Sequence, residues 1–178
     1  VTVIPRGRAL GVTMYLPSEE RKDLSREYLE NQIATAMGGR AADELIYGEK
    51  TSGASQDIVQ ATKYARKMVC EWGMSDELGP LAFGEKNEQV FLGREISRNR
   101  DYSEATAVKI DDEVHNLVKK NYDLAKKILS DNIDVLKKMA DILCEREDLS
   151  GEDVQMILEG KELPPVVEGE TRSVRPQS

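Results

Sequence analysis

Apolar and polar positions alternate with period two only at the start of the chain. Val1 and Val3 alternate with Thr2 and Ile4, and Leu10, Val12, Met14 and Leu16 alternate with Gly11, Thr13 and Tyr15. The break between them, Pro5-Arg6-Gly7-Arg8, is turn-like, so residues 1–16 are expected to form a hairpin. Pro17 ends it, and the charged run at 18–23 reads as loop. From there the period becomes helical. Ser25 is an N-cap for a first helix with Leu29, Ile33 and Met37 on one face, Leu45 and Ile46 continuing it and Gly48 as its stop. Gly38-Gly39 inside this helix costs about 1–2 kcal/mol of helicity relative to alanines, which predicts a second backbone passing close by.

A second helix is expected after Gly53, with Ser55 as cap, Ile58, Ala61, Ala65, Met68, Val69 and Trp72 on its apolar face and Gly73 at its end. Residues 74–102 are irregular, with weak strand signals at 80–83 and 90–92. Ser103 caps a long helix with Ile110, Val114, Leu117, Asn121, Ala125 and Ile128 in register. Asp131 or Asn132 opens another helix with Ile133, Leu136, Ala140 and Leu143. Ser150 with Asp153 forms a capping box before a short helix through Val154, Ile157 and Leu158. The expected fold is mainly α, a helical bundle-like domain over residues 1–162 with a small N-terminal β-hairpin, followed by a disordered tail over 163–178.

Composition narrows the function. The chain has 178 residues, a formal charge of −8 and 33% charged residues, which suits exposed helix faces. The acidic balance argues against nucleic acid as a partner, since such proteins carry a basic stripe. No apolar run approaches the ~20 residues that span a bilayer, so no membrane-spanning segment is expected and the segment reads as soluble. Cys70 and Cys144 make no disulfide framework; they fit a reducing compartment and read as small core residues.

Local chemistry assembles no complete catalytic constellation. The one histidine, His115, has no nucleophile or metal-ligand partner at helical spacing and reads as a surface residue. The glycines at 7–11 and 38–39 match neither a phosphate loop nor a dinucleotide fingerprint. Asp57 is different: it falls in the first turn of the second helix, after Thr51-Ser52-Gly53-Ala54-Ser55. The unpaired N–H groups and positive end of a helix stabilise a carboxylate there by about 0.3–1 kcal/mol, supporting the negative charge that a hard metal ligand must carry. An ordinary helix-start acid is the competing reading.

The longer words of the sequence carry a resemblance. Ile4-Pro5-Arg6-Gly7-Arg8-Ala9-Leu10-Gly11, Gly38-Gly39-Arg40-Ala41-Ala42-Asp43-Glu44-Leu45-Ile46-Tyr47-Gly48 and Thr51-Ser52-Gly53-Ala54-Ser55-Gln56-Asp57-Ile58 resemble the peptidase domain of the FtsH family of ATP-dependent, membrane-anchored zinc metalloproteases. Met68-Val69, Trp72-Gly73-Met74-Ser75, Leu78-Gly79-Pro80 and Val90-Phe91-Leu92-Gly93-Arg94 extend the match in the same order, from about Val1 to about Leu158.

The resemblance implies a zinc ion held by two histidines of an HExxH helix and by a distant carboxylate, which here is Asp57; Gln56 stands where many relatives have Asn. No HExxH occurs in these residues, and in the family that helix precedes the hairpin. The resemblance therefore implies that the chain begins just downstream of the zinc-binding helix, carries one zinc ligand and no catalytic residue, and is inactive by itself. Asp43 or Glu44 is implied as a carboxylate orienting a ligand histidine, against the reading of a packing or solvent acid. Gly11, Val12, Thr13 and Met14 are implied as a strand edge for an extended substrate, against a buried structural strand. For the whole protein the resemblance implies unfolded protein substrates, ATP bound by an AAA module outside this chain, a homo-hexamer, and a place on the cytoplasmic side of the bacterial inner membrane. The rival from another class is a non-catalytic helical interaction or assembly domain.

Overall fold

Among the described residues five helices carry the regular structure: α1 Arg26–Tyr47, α2 Ser55–Cys70, α3 Glu104–Asp131, α4 Ile133–Arg146 and α5 Gly151–Leu158. The computed structural model describes residues 1–5, 11–14, 23–84 and 102–165. The turn expected at 6–8, the alternating positions Leu10, Tyr15 and Leu16, the strand signal at 90–92 and residues 166–178 of the expected tail lie outside the described residues. The chain divides into two compact units, one formed by residues 21–131 and the other by residues 1–20 with 132–178.

The first unit is built by α1, α2 and α3, each packed on the other two. Ser25 caps α1 by accepting from the Tyr28 N–H at 3.2 Å, and Gly48 ends it in the left-handed region. The α1 stripe Leu29, Ile33, Met37 and Ala41 is buried at spacings of four, the geometry that keeps one helix face on the core. Leu29, Ile33 and Met37 meet Ala61, Ala65, Met68 and Val69 of α2 and Ile110, Val114 and Leu117 of α3, while Ala41 packs with Ala34 and with Ala125 of α3. The alanines let the three backbones approach closely. Asn121 is buried among these side chains; its Nδ2 donates to the Leu117 carbonyl at 2.8 Å, while Oδ1 finds no donor among the described residues.

Three expectations change here. α2 stops at Cys70, and Trp72 and Ile58 are each 38% exposed rather than in the core. Trp72 leaves the stripe because the chain has left the helix; its ring lies under the Lys67 ammonium at 5.6 Å. Ile128, in register on the α3 wheel, is also exposed, being three residues past Ala125 and near the end of the helix. The glycine pair admits no second backbone among the described residues. Gly38 has open space around it, and only the Asp57 side chain comes within 4 Å of a Cβ built on Gly39.

After α2 the chain folds back on itself. Gly73 takes φ +59°, and a Cβ there would stand 2.9 Å from Pro80 Cα. Ser75 is buried; its hydroxyl donates to Glu113 Oε2 of α3 at 2.6 Å and accepts from the Leu78 N–H at 3.1 Å. Residues 80–83 form no strand. Instead the Phe83 N–H closes on the Cys70 carbonyl at 2.8 Å, and its ring meets Tyr102 edge-on at 6.0 Å.

In the second unit, residues 1–3 pair on both sides. Thr2 and Val12 exchange N–H···O bonds of 2.9 Å each, while Val3 N–H donates to Glu147 and Leu149 N–H to Val1, at 3.0 and 2.8 Å. The expected hairpin is thus a single antiparallel bridge among the described residues. Most of the partners of residues 1–3 come from 147–149, which no local reading of 1–16 contains. Gly11 allows the close approach, since a Cβ there would come 2.8 Å from the Thr2 carbonyl oxygen. Leu149 and Ile157 are buried, and Ser150 and Asp153 form the expected capping box. None of the α4 positions Ile133, Leu136, Ala140 and Leu143 is fully buried. No helix among the described residues is long and apolar enough to cross a membrane.

Gly73→Ala is expected to cost about 2–4 kcal/mol, combining left-handed backbone strain with displacement of Pro80. Thermal denaturation followed by circular dichroism measures it.

Candidate metal-ligand site

α1 and α2 are joined by residues 49–54, and the joint is tied to α1 at one residue. The Thr51 hydroxyl donates to Asp43 Oδ2 at 2.8 Å and accepts from the Gly53 N–H at 3.3 Å. The Thr51 carbonyl accepts from Arg40 Nη1 at 3.2 Å. Ser55 N–H then closes a turn on the Ser52 carbonyl at 3.1 Å, and Ile58 N–H begins the α2 ladder on the Ala54 carbonyl at 3.0 Å.

Ala54, not Ser55, occupies the N-cap position, and no side chain caps the helix. Ala54 is chosen by burial: it is 5% exposed, so the joint turns around a methyl group packed inside. Asp57 follows in the first helical turn, on the exposed surface. Its Oδ2 lies 3.9 Å from the Cβ position of Gly39, so the carboxylate stands over bare α1 backbone. Among the described residues no hydrogen-bond donor or cation pairs with it.

The neighbouring acids are already engaged. Glu44 accepts from Lys126 Nζ at 2.5 Å and from the Tyr122 hydroxyl, both on α3. The Lys126 contact, reinforced by Tyr122, pulls the Glu44 carboxyl down from its ordinary 4.5 to about 2. Burial, and then the hydrogen bond to Glu44, pushes the Tyr122 phenol up to about 12. Asp43 is committed to Thr51. Among the described residues no group of three His, Cys, Asp or Glu side chains is gathered to hold a metal.

His115 is exposed on α3, as expected. Cys144 is exposed and Cys70 half-buried, so neither is a core thiol; burial pushes the Cys70 thiol up. Gly11, Val12, Thr13 and Met14 are all exposed, in the other unit. Val12 spends its N–H and carbonyl on Thr2. In an extended segment the groups of Gly11 and Thr13 then face the opposite edge, and among the described residues they bond to no other backbone. Arg40, Thr51, Tyr122 and Lys126 were not singled out by the sequence. The one available signal was the three-residue spacing of Arg40 and Asp43, which puts both on one helix face.

A family model described as peptidase family M41 matches residues 1–157. An ATP-dependent zinc metalloprotease FtsH of Acidobacterium capsulatum is 54% identical over 166 residues, 93% of this chain and 26% of the relative. Proteins of the same name from Myxococcus xanthus and Magnetococcus marinus are 50% and 51% identical, over 92% and 90% of this chain and 26% and 24% of the relatives. The chain therefore spans about a quarter of the length of the curated relatives it matches.

Because the folded Glu44 carboxyl titrates below its ordinary value, its contribution to stability is present above about pH 4.5 and lost as pH falls through about 2. Glu44→Gln should lower the melting temperature at pH 7, with the gap to wild type closing between pH 4.5 and 2. A pH series of thermal melts on both proteins checks this.

Proposed function

This chain belongs to peptidase family M41, and on that premise we propose that it forms part of the proteolytic domain of an ATP-dependent, membrane-anchored zinc metalloendopeptidase acting on unfolded or damaged proteins. The observation that supports this reading is the Asp57 carboxylate, unpaired among the described residues, at a helix N-terminus and over the bare Gly39 backbone. An oxygen donor free of competing cations fits one position of a zinc coordination sphere. The described residues gather no group of three donors, so on this reading the set is completed in the whole protein. When bound, zinc supplies Lewis-acid polarisation of a scissile carbonyl.

This chain's own residues have narrower tasks. Asp57 holds one side of the ion. Glu44, with its oxygens held by α3, serves packing. The outward edge of Gly11, Val12, Thr13 and Met14 accepts an extended peptide by backbone pairing, which demands little of the peptide's sequence. Exposed Val12 and Met14 offer apolar contact to it. One peptidase domain over residues 1–162, a hexamer, ATP use by an AAA module outside this chain and a site at the cytoplasmic face of the inner membrane complete the reading; the relatives' shared name carries the ATP dependence and the zinc. The lack of a three-donor group among the described residues favours one rival, an inert helical assembly domain.

In the full-length protein, Asp57→Ala should drop zinc from one per chain to near none and abolish casein cleavage, read by elemental analysis and peptide release. Unchanged zinc and cleavage would mean that Asp57 is not a ligand, whereas a full-length wild type without zinc or cleavage would favour the inert domain. The 178-residue chain alone should show no zinc-dependent casein cleavage. Thr13→Pro, which removes an outward N–H, should lower cleavage of unfolded casein while leaving zinc content intact; unaltered proteolysis would mean that no peptide pairs along this edge.

A further inference from the structure

The carboxylate read as a zinc ligand sits in the first turn of α2, just past a short exposed joint, and its placement has a specific cause. Residues 51–53 are exposed, α2 has no side-chain cap, and Ala54 is the one buried residue of the joint. A lone buried methyl fixes position poorly, because rotation about it costs little contact. The buried face of α2 begins only at Ala61, so at the joint itself directional bonds hold the first turn. They converge on Thr51: a guanidinium on its carbonyl, a carboxylate on its hydroxyl, and the Gly53 N–H on the same hydroxyl. Arg40 and Asp43 lie one turn apart on α1, immediately after the Gly39 backbone over which Asp57 Oδ2 stands. The residues that grip the joint and the surface that faces the carboxylate are therefore one rigid stretch of helix.

We propose that Arg40 and Asp43 are positioning residues that, through the Thr51 carbonyl and hydroxyl, fix the start of α2 and so hold Asp57 where it meets the metal. The proposal rests on the reading of Asp57 as a ligand. Asp43 itself touches no reacting atom and does not bind the ion. Its partner is the Thr51 hydroxyl, which passes the constraint to the Gly53 amide and the turn closed by Ser55 on Ser52. Residues that orient a ligand from behind commonly change metal affinity by about 10–100-fold when removed.

The test uses the full-length zinc-loaded protein and two readouts besides activity: amide hydrogen exchange at Gly53, Ser55 and Ile58, and zinc affinity by competition with a chelator. Asp43→Ala and Thr51→Val should speed exchange at these amides and weaken zinc binding about 10-fold, with the melting temperature of the metal-free protein little changed. Asp43→Asn and Thr51→Ser, which keep the acceptor and the hydroxyl, should stay close to wild type in both. If Asp57→Ala loses zinc while Asp43→Ala and Thr51→Val keep wild-type affinity, the positioning role is wrong and the ligand reading stands. If Asp57→Ala keeps zinc, the ligand reading fails and this inference with it. Zinc loss that appears only alongside a collapsed melting transition, or that Asp43→Asn and Thr51→Ser show equally, also overturns the proposal.

Discussion

The packing of α1 into the cleft between α2 and α3 is the constraint from which the rest of its unit follows. One face of α1 is sealed by Leu29, Ile33, Met37 and Ala41, so the helix cannot rotate without exposing that stripe. Its remaining surface is thereby fixed in direction. Glu44 is delivered to Tyr122 and Lys126, Arg40 and Asp43 to Thr51, and Gly39 to Asp57. A hydrophobic contact that is itself indifferent to chemistry thus sets the address of each polar group near the proposed ligand.

The polar ties divide into two kinds. The ion pairs Lys109–Glu77, Arg66–Asp111 and Lys119–Asp123 join side chains that are all more than half exposed, and such pairs contribute little, about 0–1 kcal/mol each. The bonds from Ser75 to Glu113 and from Glu44 to α3 involve partly buried groups with defined partners. These fix which turn of one helix faces which turn of the next. Asn121 has the opposite character, a buried carbonyl oxygen without a donor among the described residues. A cost of this kind is borne by the apolar contacts that surround it.

Helix starts and core faces were legible in the sequence because they are written in local terms. Ser25, Ser103 and Ser150 cap helices as their positions imply, and the spacings of Leu29–Ile33–Met37 and Ile110–Val114–Leu117 put them inside. Sequence pattern and structure part company where a distant partner decides the outcome. Trp72 continues the α2 period, yet the chain turns at Gly73 against Pro80. The first three residues pair more with 147–149 than with their neighbour in sequence. Asp57 could be placed at a helix start from sequence alone, whereas the grip of Arg40 and Asp43 on Thr51 joins residues up to eleven positions apart across a chain reversal. Periodicity does not encode such a contact.

The bridge between Thr2 and Val12 has a consequence for the molecule in concentrated solution. A border whose Gly11 and Thr13 amides bond to no other backbone among the described residues, beside exposed Val12 and Met14, is a template for pairing with another copy. The countermeasure is long-range: each molecule carries a formal charge of −8, and like-charged copies repel before their borders can meet. Dissolved salt shortens that repulsion to about 8 Å at 0.15 M and less above it. Colloidal behaviour is thus set by a contest between two features far apart in scale, one strip of backbone and the ionic character of the entire surface.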